Sequence, residues 1–263
     1  MRIVVPLKAV PDLVEEIELS ADEAAIDREY LKFVLNEWDA QALEEALLLK
    51  DADGSEVVAV GLADDSDIDQ ILYTALAKGA DAAVKLTDAN ASLSPRASGS
   101  GLAERAALFA GYLTSVPFDL VVTGVQATDD PDGQLPPRLA GLLDLPHVSV
   151  VVSVETLGGS IIVRQEFAAG RCHELEVQLP AVIGVQSARQ APRYAPISRI
   201  KQAMQAGGLK QVALTPAPRS CGLSVRRMYK PEASARAEML TGSPAEVADQ
   251  IVGLLRSRGL VKA

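Results

Sequence analysis

The sequence predicts an α/β protein: a mostly parallel sheet of nucleotide-binding style, flanked by helices, extended by antiparallel strands and followed by a C-terminal arm. Three observations carry this reading. From Ile3 to Leu143, short apolar runs alternate with stretches of helical apolar spacing, the rhythm of strand-helix-strand crossovers. After Pro146 the period changes, and Gly158-Gly159 separates two strand-like runs, a hairpin signature. Finally, the run Asp119-Leu-Val-Val-Thr123 opens directly into Gly124-Val-Gln-Ala-Thr-Asp-Asp-Pro-Asp-Gly-Gln-Leu-Pro-Pro137. A polar loop at the carboxyl end of a buried strand is where open α/β sheets bind ligands.

Each element follows in order. Ile3 to Leu7 reads as the first strand, and Ala40, Leu43, Ala46 and Leu47 recur at helical spacing behind Asp39, a candidate cap. Val57 to Leu62 is a second strand. Ser66-Asp-Ile-Asp69 has the form of a capping box, opening a helix with Ile68, Leu72, Ala75 and Leu76 on one face and Gly79 as its stop. Ala82 to Leu86 is a third strand, Asp88 to Ser100 a loop, and Leu102 to about Leu113 a helix. The fourth strand, Asp119 to Thr123, leads through the polar loop to a helical pattern at Arg138, Leu139, Leu142 and Leu143.

The hairpin pairs Val148–Val154 with Ser160–Val163, His173 to Leu179 alternates as a half-exposed strand, and Pro180 to Val185 is a continuous buried run. Gln205 to Met239 is polar, basic and punctuated by prolines, so it is either disordered or an arm lying on a partner. Order returns at Ser243-Pro244-Ala-Glu246, a capping sequence with Val247, Ile251, Leu254 and Leu255 on one stripe behind it. The chain divides into residues 1–195, the α/β domain, and 196–263.

Composition narrows the function. With 35 acidic against 25 basic residues, a net charge of −10 opposes a nucleic-acid partner. Two cysteines, Cys172 and Cys221, and two histidines, His147 and His173, supply neither a disulfide framework nor metal-ligand spacing. No apolar run approaches the roughly 20 residues that span a bilayer, and Met1 to Lys8 is too short for a secretory core. A cytoplasmic protein without an integral membrane segment is the expectation.

Several blocks, in order, resemble the β subunit of electron transfer flavoproteins: Val5-Pro-Leu-Lys8-Ala-Val-Pro-Asp12, Leu35-Asn-Glu-Trp-Asp39, Leu43-Glu-Glu-Ala46 and Ala75-Leu-Ala-Lys-Gly-Ala-Asp81. Gly124-Val-Gln126, Leu179-Pro-Ala-Val182, Pro192-Arg-Tyr-Ala195 and Val225-Arg-Arg-Met-Tyr-Lys-Pro-Glu232 continue the series. Asn-Glu-Trp-Asp and Val-Arg-Arg-Met-Tyr are most similar to the methylotroph branch that partners trimethylamine dehydrogenase. The resemblance implies a non-enzymatic electron carrier, half of a heterodimer whose FAD is held mainly by the α subunit while β holds AMP. The donor would be a dehydrogenase of amine or acyl-CoA type.

The implied AMP pocket maps onto Pro6, Leu7, Asn36, Glu37, Trp38, Asp39 and Val60, together with Gly124, Val125, Gln126, Ala127, Thr128, Asp129, Gly133 and Gln134. Asn36 and Gln126 offer amides to adenine or ribose edges, or else cap loops; Asp129 would accept from a ribose hydroxyl. Leu13 and Trp38 map beside the flavin, with Trp38 alternatively a core anchor.

Where the family presents a Thr-Gly-Gln turn to phosphate, this chain reads Leu135-Pro136-Pro137. Proline has no N–H, and losing two charge-assisted bonds of roughly 1.5 to 3 kcal/mol each predicts rearranged phosphate contacts or reduced AMP occupancy. Tyr194, Ile197 and Arg199 map to the segment that docks the donor, Ile197 as its exposed aliphatic anchor. Arg226, Arg227 and Tyr229 map to the arm, and the terminal helix is expected to pack on the α subunit. Two alternatives remain: an adenine-nucleotide sensor of related fold, and a bifurcating flavoprotein subunit with a second FAD.

Overall fold

The computed structural model describes every residue except 30, 64–66, 89–101, 215–225, 232–236, 238 and 262–263. Ser66, Cys221, Val225 and nearly all of the loop assigned to 88–100 lie outside the described residues. The chain forms two compact units, Met1–Met228 and Tyr229–Ala263.

The first unit is built on the strands β1 (Arg2–Leu7), β2 (Ala9–Pro11), β3 (Phe33–Leu35), β4 (Glu56–Leu62), β5 (Ala82–Asp88) and β6 (Leu120–Gly124). Then follow β7 (His147–Leu157), β8 (Ser160–Phe167), β9 (Arg171–Gln178), β10 (Ala181–Val185) and β11 (Leu209–Leu214). Its helices are α1 (Glu37–Asp53), α2 (Ile68–Lys78), α3 (Leu102–Leu113), α4 (Leu135–Leu143) and α5 (Ile197–Ala206). The second unit holds α6 (Pro244–Ser257), which starts at a complete capping box between Ser243 and Glu246, as the sequence predicts.

Nine strands make one sheet in the order β11-β5-β4-β1-β6-β10-β7-β8-β9. Pairing is parallel from β11 to β7 and antiparallel across β7-β8-β9. Both faces of the central parallel strands are covered, which is why β1, β4, β6 and β10 read as nearly unbroken apolar runs. Ile3, Val5, Val57 and Ala59 face a core layer containing Leu43, Leu47, Leu72 and Ala75 of α1 and α2. Val4, Val58 and Val60 face the opposite layer, with Leu108, Phe109, Leu113 and Leu139 of α3 and α4.

The chain runs from β1 outward through β4 to β5, then returns to β6 on the other side of β1. That reversal makes the carboxyl ends of β1 and β6 the topological switch point, where a crevice forms because adjacent connections leave in opposite directions.

The structure corrects several local expectations. Asp39 is not the cap of α1; Asn36 is, and Asp39 lies in the first turn with its carboxylate turned to the strands. The cap of α2 is Asp67, in a left-handed conformation, while Asp69 pairs with Lys85. Helix α4 begins at Leu135, with its prolines at the first positions, where a missing N–H and a fixed φ cost nothing.

Three elements escape the sequence reading. Leu209–Leu214 pairs in parallel with β5 from Leu209↔Ala83 to Leu214↔Asp88, so the coreless stretch assigned from Gln205 contains a sheet edge. Ile197–Ala206 is helical and packs against α2. The short ribbon β2-β3 returns the chain after Leu35 to β1, where the Asn36 N–H donates to the Lys8 carbonyl at 3.0 Å.

Candidate functional site

A cleft of about 420 Å³, open to solvent, lies at the switch point. Pro6, Leu7, Asn36, Asp39, Gly124, Val125, Gln126, Ala127 and Gly133, all singled out from the sequence, line it. Four loops meet here because β1, β6, the start of α1 and the start of α4 all terminate at the same sheet edge.

The floor is made by Asp39, only 6% exposed. Its carboxylate accepts from the Lys8 N–H at 2.9 Å and the Gly124 N–H at 3.2 Å, so one side chain joins the ends of β1 and β6 to helix α1. Burial pushes the Asp39 carboxyl up to about 7, against the Asn36 amide, those two N–H groups and the Lys8 ammonium, which favour the charged form. Gly124 is required for this approach: a Cβ there would overlap the Asp39 carboxylate and the Trp38–Asp39 backbone. Gly133 is required for a different reason, adopting φ +60° with no space between its Cα and the Val125 carbonyl.

Asn36 is 1% exposed. Its amide donates to the Gln126 carbonyl at 2.8 Å, while its Oδ1 finds no hydrogen-bond partner among the described residues. A buried acceptor without a donor costs on the order of 1–3 kcal/mol, so this atom invites an N–H or O–H from a ligand. Leu7, Leu102, Phe109 and Leu135 add apolar lining to the cleft.

The loop side is charged. Lys8 Nζ meets Asp129 Oδ1 at 2.5 Å, and Asp130 projects into the cleft beside Arg105. Burial raises the Asp130 carboxyl, with Asp129 and Asp132 adding repulsion and Lys8 and Arg105 opposing it. Backbone donors here are largely consumed: the N–H groups of Ala127, Asp130 and Gly133 all bond within the loop. The N-terminus of α4 offers no N–H at Pro136 or Pro137.

The cleft does not gather every residue the sequence pointed to. Val60 lies in the core, fully buried, one strand away from Pro6. Glu37 and Thr128 are exposed, Trp38 is half-buried, Leu13 stands 65% exposed, and Gln134 bonds Arg138. Conversely, Lys8, Leu102, Arg105 and Phe109 line the cleft without having been picked from the sequence, while Leu135, read there as part of the altered phosphate turn, lines it too. Lys8 was legible as the residue following a strand; Arg105 was not, because its position depends on how α3 lies over the sheet.

A second set of predicted residues follows β10. Ala195 is buried, whereas Tyr194 is 80% and Ile197 66% exposed, and Arg199 is exposed on α5. Arg227 pairs with Glu23 at 2.6 Å; Arg226 and Tyr229 are exposed.

These features define an open α/β protein with a solvent-open crevice at its switch point and a separate exposed loop. Comparison with known proteins makes the class specific. The Electron transfer flavoprotein domain model matches residues 24–217. The chain is 32% identical to the electron transfer flavoprotein subunit beta of Methylophilus methylotrophus, covering 97% of this chain and 98% of that one. It is 31% identical to the caffeyl-CoA reductase-Etf complex subunit CarD of Acetobacterium woodii over 99% of this chain and all of the other. Against the subunit beta of Bacillus subtilis it is 27% identical, over 99% of this chain and 100% of that one. The chain belongs to the electron transfer flavoprotein family, on its β-subunit side. Among the described residues no helix is long and apolar enough to cross a membrane.

Proposed function

We propose that this chain is the β subunit of a heterodimeric electron transfer flavoprotein, carrying electrons from a dehydrogenase to a downstream acceptor without being an enzyme itself. Similarity to β subunits along nearly the whole chain carries the reading. FAD, held mainly by an α-type partner, supplies the redox chemistry when bound. This chain's part is to cover the flavin with Leu13 and Trp38, dock the donor through Tyr194, Ile197 and Arg199, and engage the α subunit through Arg226, Arg227, Tyr229 and the terminal helix α6.

The cleft is assigned to an adenine nucleotide. Its nucleoside half fits: Asn36 Oδ1 accepts from an amine or hydroxyl while Leu7 and Phe109 form walls. The phosphate half does not fit the start of α4, whose prolines lack donors, so an AMP phosphate falls to the side chains of Lys8 and Arg105. Pro6, Asp39, Val125 and Gln126 shape the same space.

A second reading places a second FAD in the cleft, as in bifurcating complexes. The similarity to CarD favours it, since that protein is named for a reductase-Etf complex. Coexpression with an α-type subunit tests both. One flavin per heterodimer with AMP in the extracted nucleotides supports the carrier, two flavins and no AMP support the second reading, and no complex at all excludes both.

A further inference from the structure

We propose that Glu44 and Glu45 of α1 are positioning residues for protein docking, holding residues 189–193 so that Tyr194 and Ile197 stand outward in one fixed arrangement. The inference rests on the docking role assigned above to that segment.

Residues 186–196 contain no helix or strand, and their path is nonetheless set by side chains of α1. Gln41 Oε1 accepts from the Ala188 N–H at 3.0 Å. Glu45 Oε2 accepts from the Arg189 N–H at 3.1 Å, and Oε1 accepts from Arg189 Nε at 2.8 Å and from the Val154 N–H at 2.9 Å. Glu44 accepts from the Arg193 N–H at 2.8 Å and from Arg193 Nε at 2.9 Å, while Asp51 takes the far end of the same guanidinium at 2.8 Å. Lys78, half-buried on α2, lies near enough to feel both Glu44 and Arg193.

Glu44 and Glu45 are 3% and 0% exposed. Burying two adjacent carboxylates is expensive, and apolar residues of similar volume would hold a merely structural contact more cheaply. What carboxylates add is direction, because each also accepts from a backbone N–H of the segment, Glu45 from Arg189 and Glu44 from Arg193, and so fixes the chain itself. Immediately beyond the last of them Tyr194 projects, Ala195 is buried as a foot, and Ile197 opens α5 beside the exposed Arg199 and Lys201. A loop fixed in advance loses less entropy on binding, and the basic start of α5 in a chain of net charge −10 suits an apolar pocket with an acidic rim.

The test uses the assembled heterodimer carrying Glu44→Gln, with Arg193→Lys as a second variant that keeps charge but loses the planar fork. Hydrogen exchange at residues 188–198 is expected to quicken by about tenfold while β1 keeps its protection. With the dehydrogenase that reduces the wild type, tertiary-amine or acyl-CoA, the apparent KM rises about tenfold with kcat held within about twofold. Combining Glu44→Gln with Ile197→Ala gives less than the product of the two effects, since both act through one contact. Unaltered exchange at 188–198, or equal loosening of β1, overturns the clamp. Loosened exchange with unchanged KM, or strict multiplicativity, overturns its docking role. If Ile197→Ala itself leaves KM unchanged, or neither dehydrogenase reduces the complex, the docking reading fails and exchange alone decides the clamp.

Discussion

Helix α1 and its N-cap carry two groups of buried polar side chains, about 10 Å apart along the axis, and they differ in completeness. At its start, Asn36 has an acceptor with no partner among the described residues and burial raises the Asp39 carboxyl to about 7. Farther along, Glu44 and Glu45 are fully engaged with Arg193, Arg189 and backbone N–H groups. The sequence makes both groups look alike, as polar residues interrupting an apolar helix. The contrast separates them: the unfinished hydrogen-bond set borders the cleft, and the finished one ties helix α1 to the segment after β10.

The comparison breaks most sharply at Glu45. Glu45→Ala leaves Arg189 and the Val154 N–H without their acceptor, so it should cost about 3–5 kcal/mol, read as a lowered midpoint in urea unfolding. A loss below about 1 kcal/mol would mean the set was not finished in the sense argued.

Asp39 gives a smaller, pH-dependent effect. Its carboxyl ionises near 3.9 in an unfolded chain and at about 7 in the fold, so the folded state binds the proton more tightly. Its stabilisation is therefore full below about pH 4 and is lost as pH rises towards 7, by no more than about 4 kcal/mol. Asp39→Asn should flatten that decline in a series of melts from pH 4 to 8; an identical slope in both proteins would remove the assignment.

Asn36→Ala has the smallest effect on stability, about 1 kcal/mol for the lost bond to Gln126. Nucleotide retained through purification should nevertheless fall about tenfold, measured by extraction and mass spectrometry. Undiminished retention would show that Asn36 Oδ1 completes nothing.

Much of the fold was legible because burial on both faces writes itself into composition. β1, β4, β6 and β10 are continuous apolar runs, and Gly158-Gly159 announces its hairpin; these positions admit few residue types. The missed elements have no such signature. β11 buries only part of one face and exists because β5 offers an unpaired edge, and α5 contributes no fully buried residue. The three-residue strands β2 and β3 are too short to show a period.

The candidate site divides in the same way. Gly124, Gln126 and Gly133 could be picked out because a strand ending in a Gly-rich polar loop has few uses. Val60 could not be separated from the core, since strand ends and strand interiors share the same residues. Arg105 and Phe109 enter the cleft only through the packing of α3 on the sheet.

What the sequence determined by itself was the alternation of strands and helices and the place of the crevice, consequences of local periodicity and of turn residues, and, through blocks that resemble it, the family. Only the tertiary structure decided which buried polar groups are satisfied. Hydrogen-bond completion depends on partners some 30 to 150 residues away, Lys8 with Asp39 or Glu44 with Arg193, and no local pattern records such pairings.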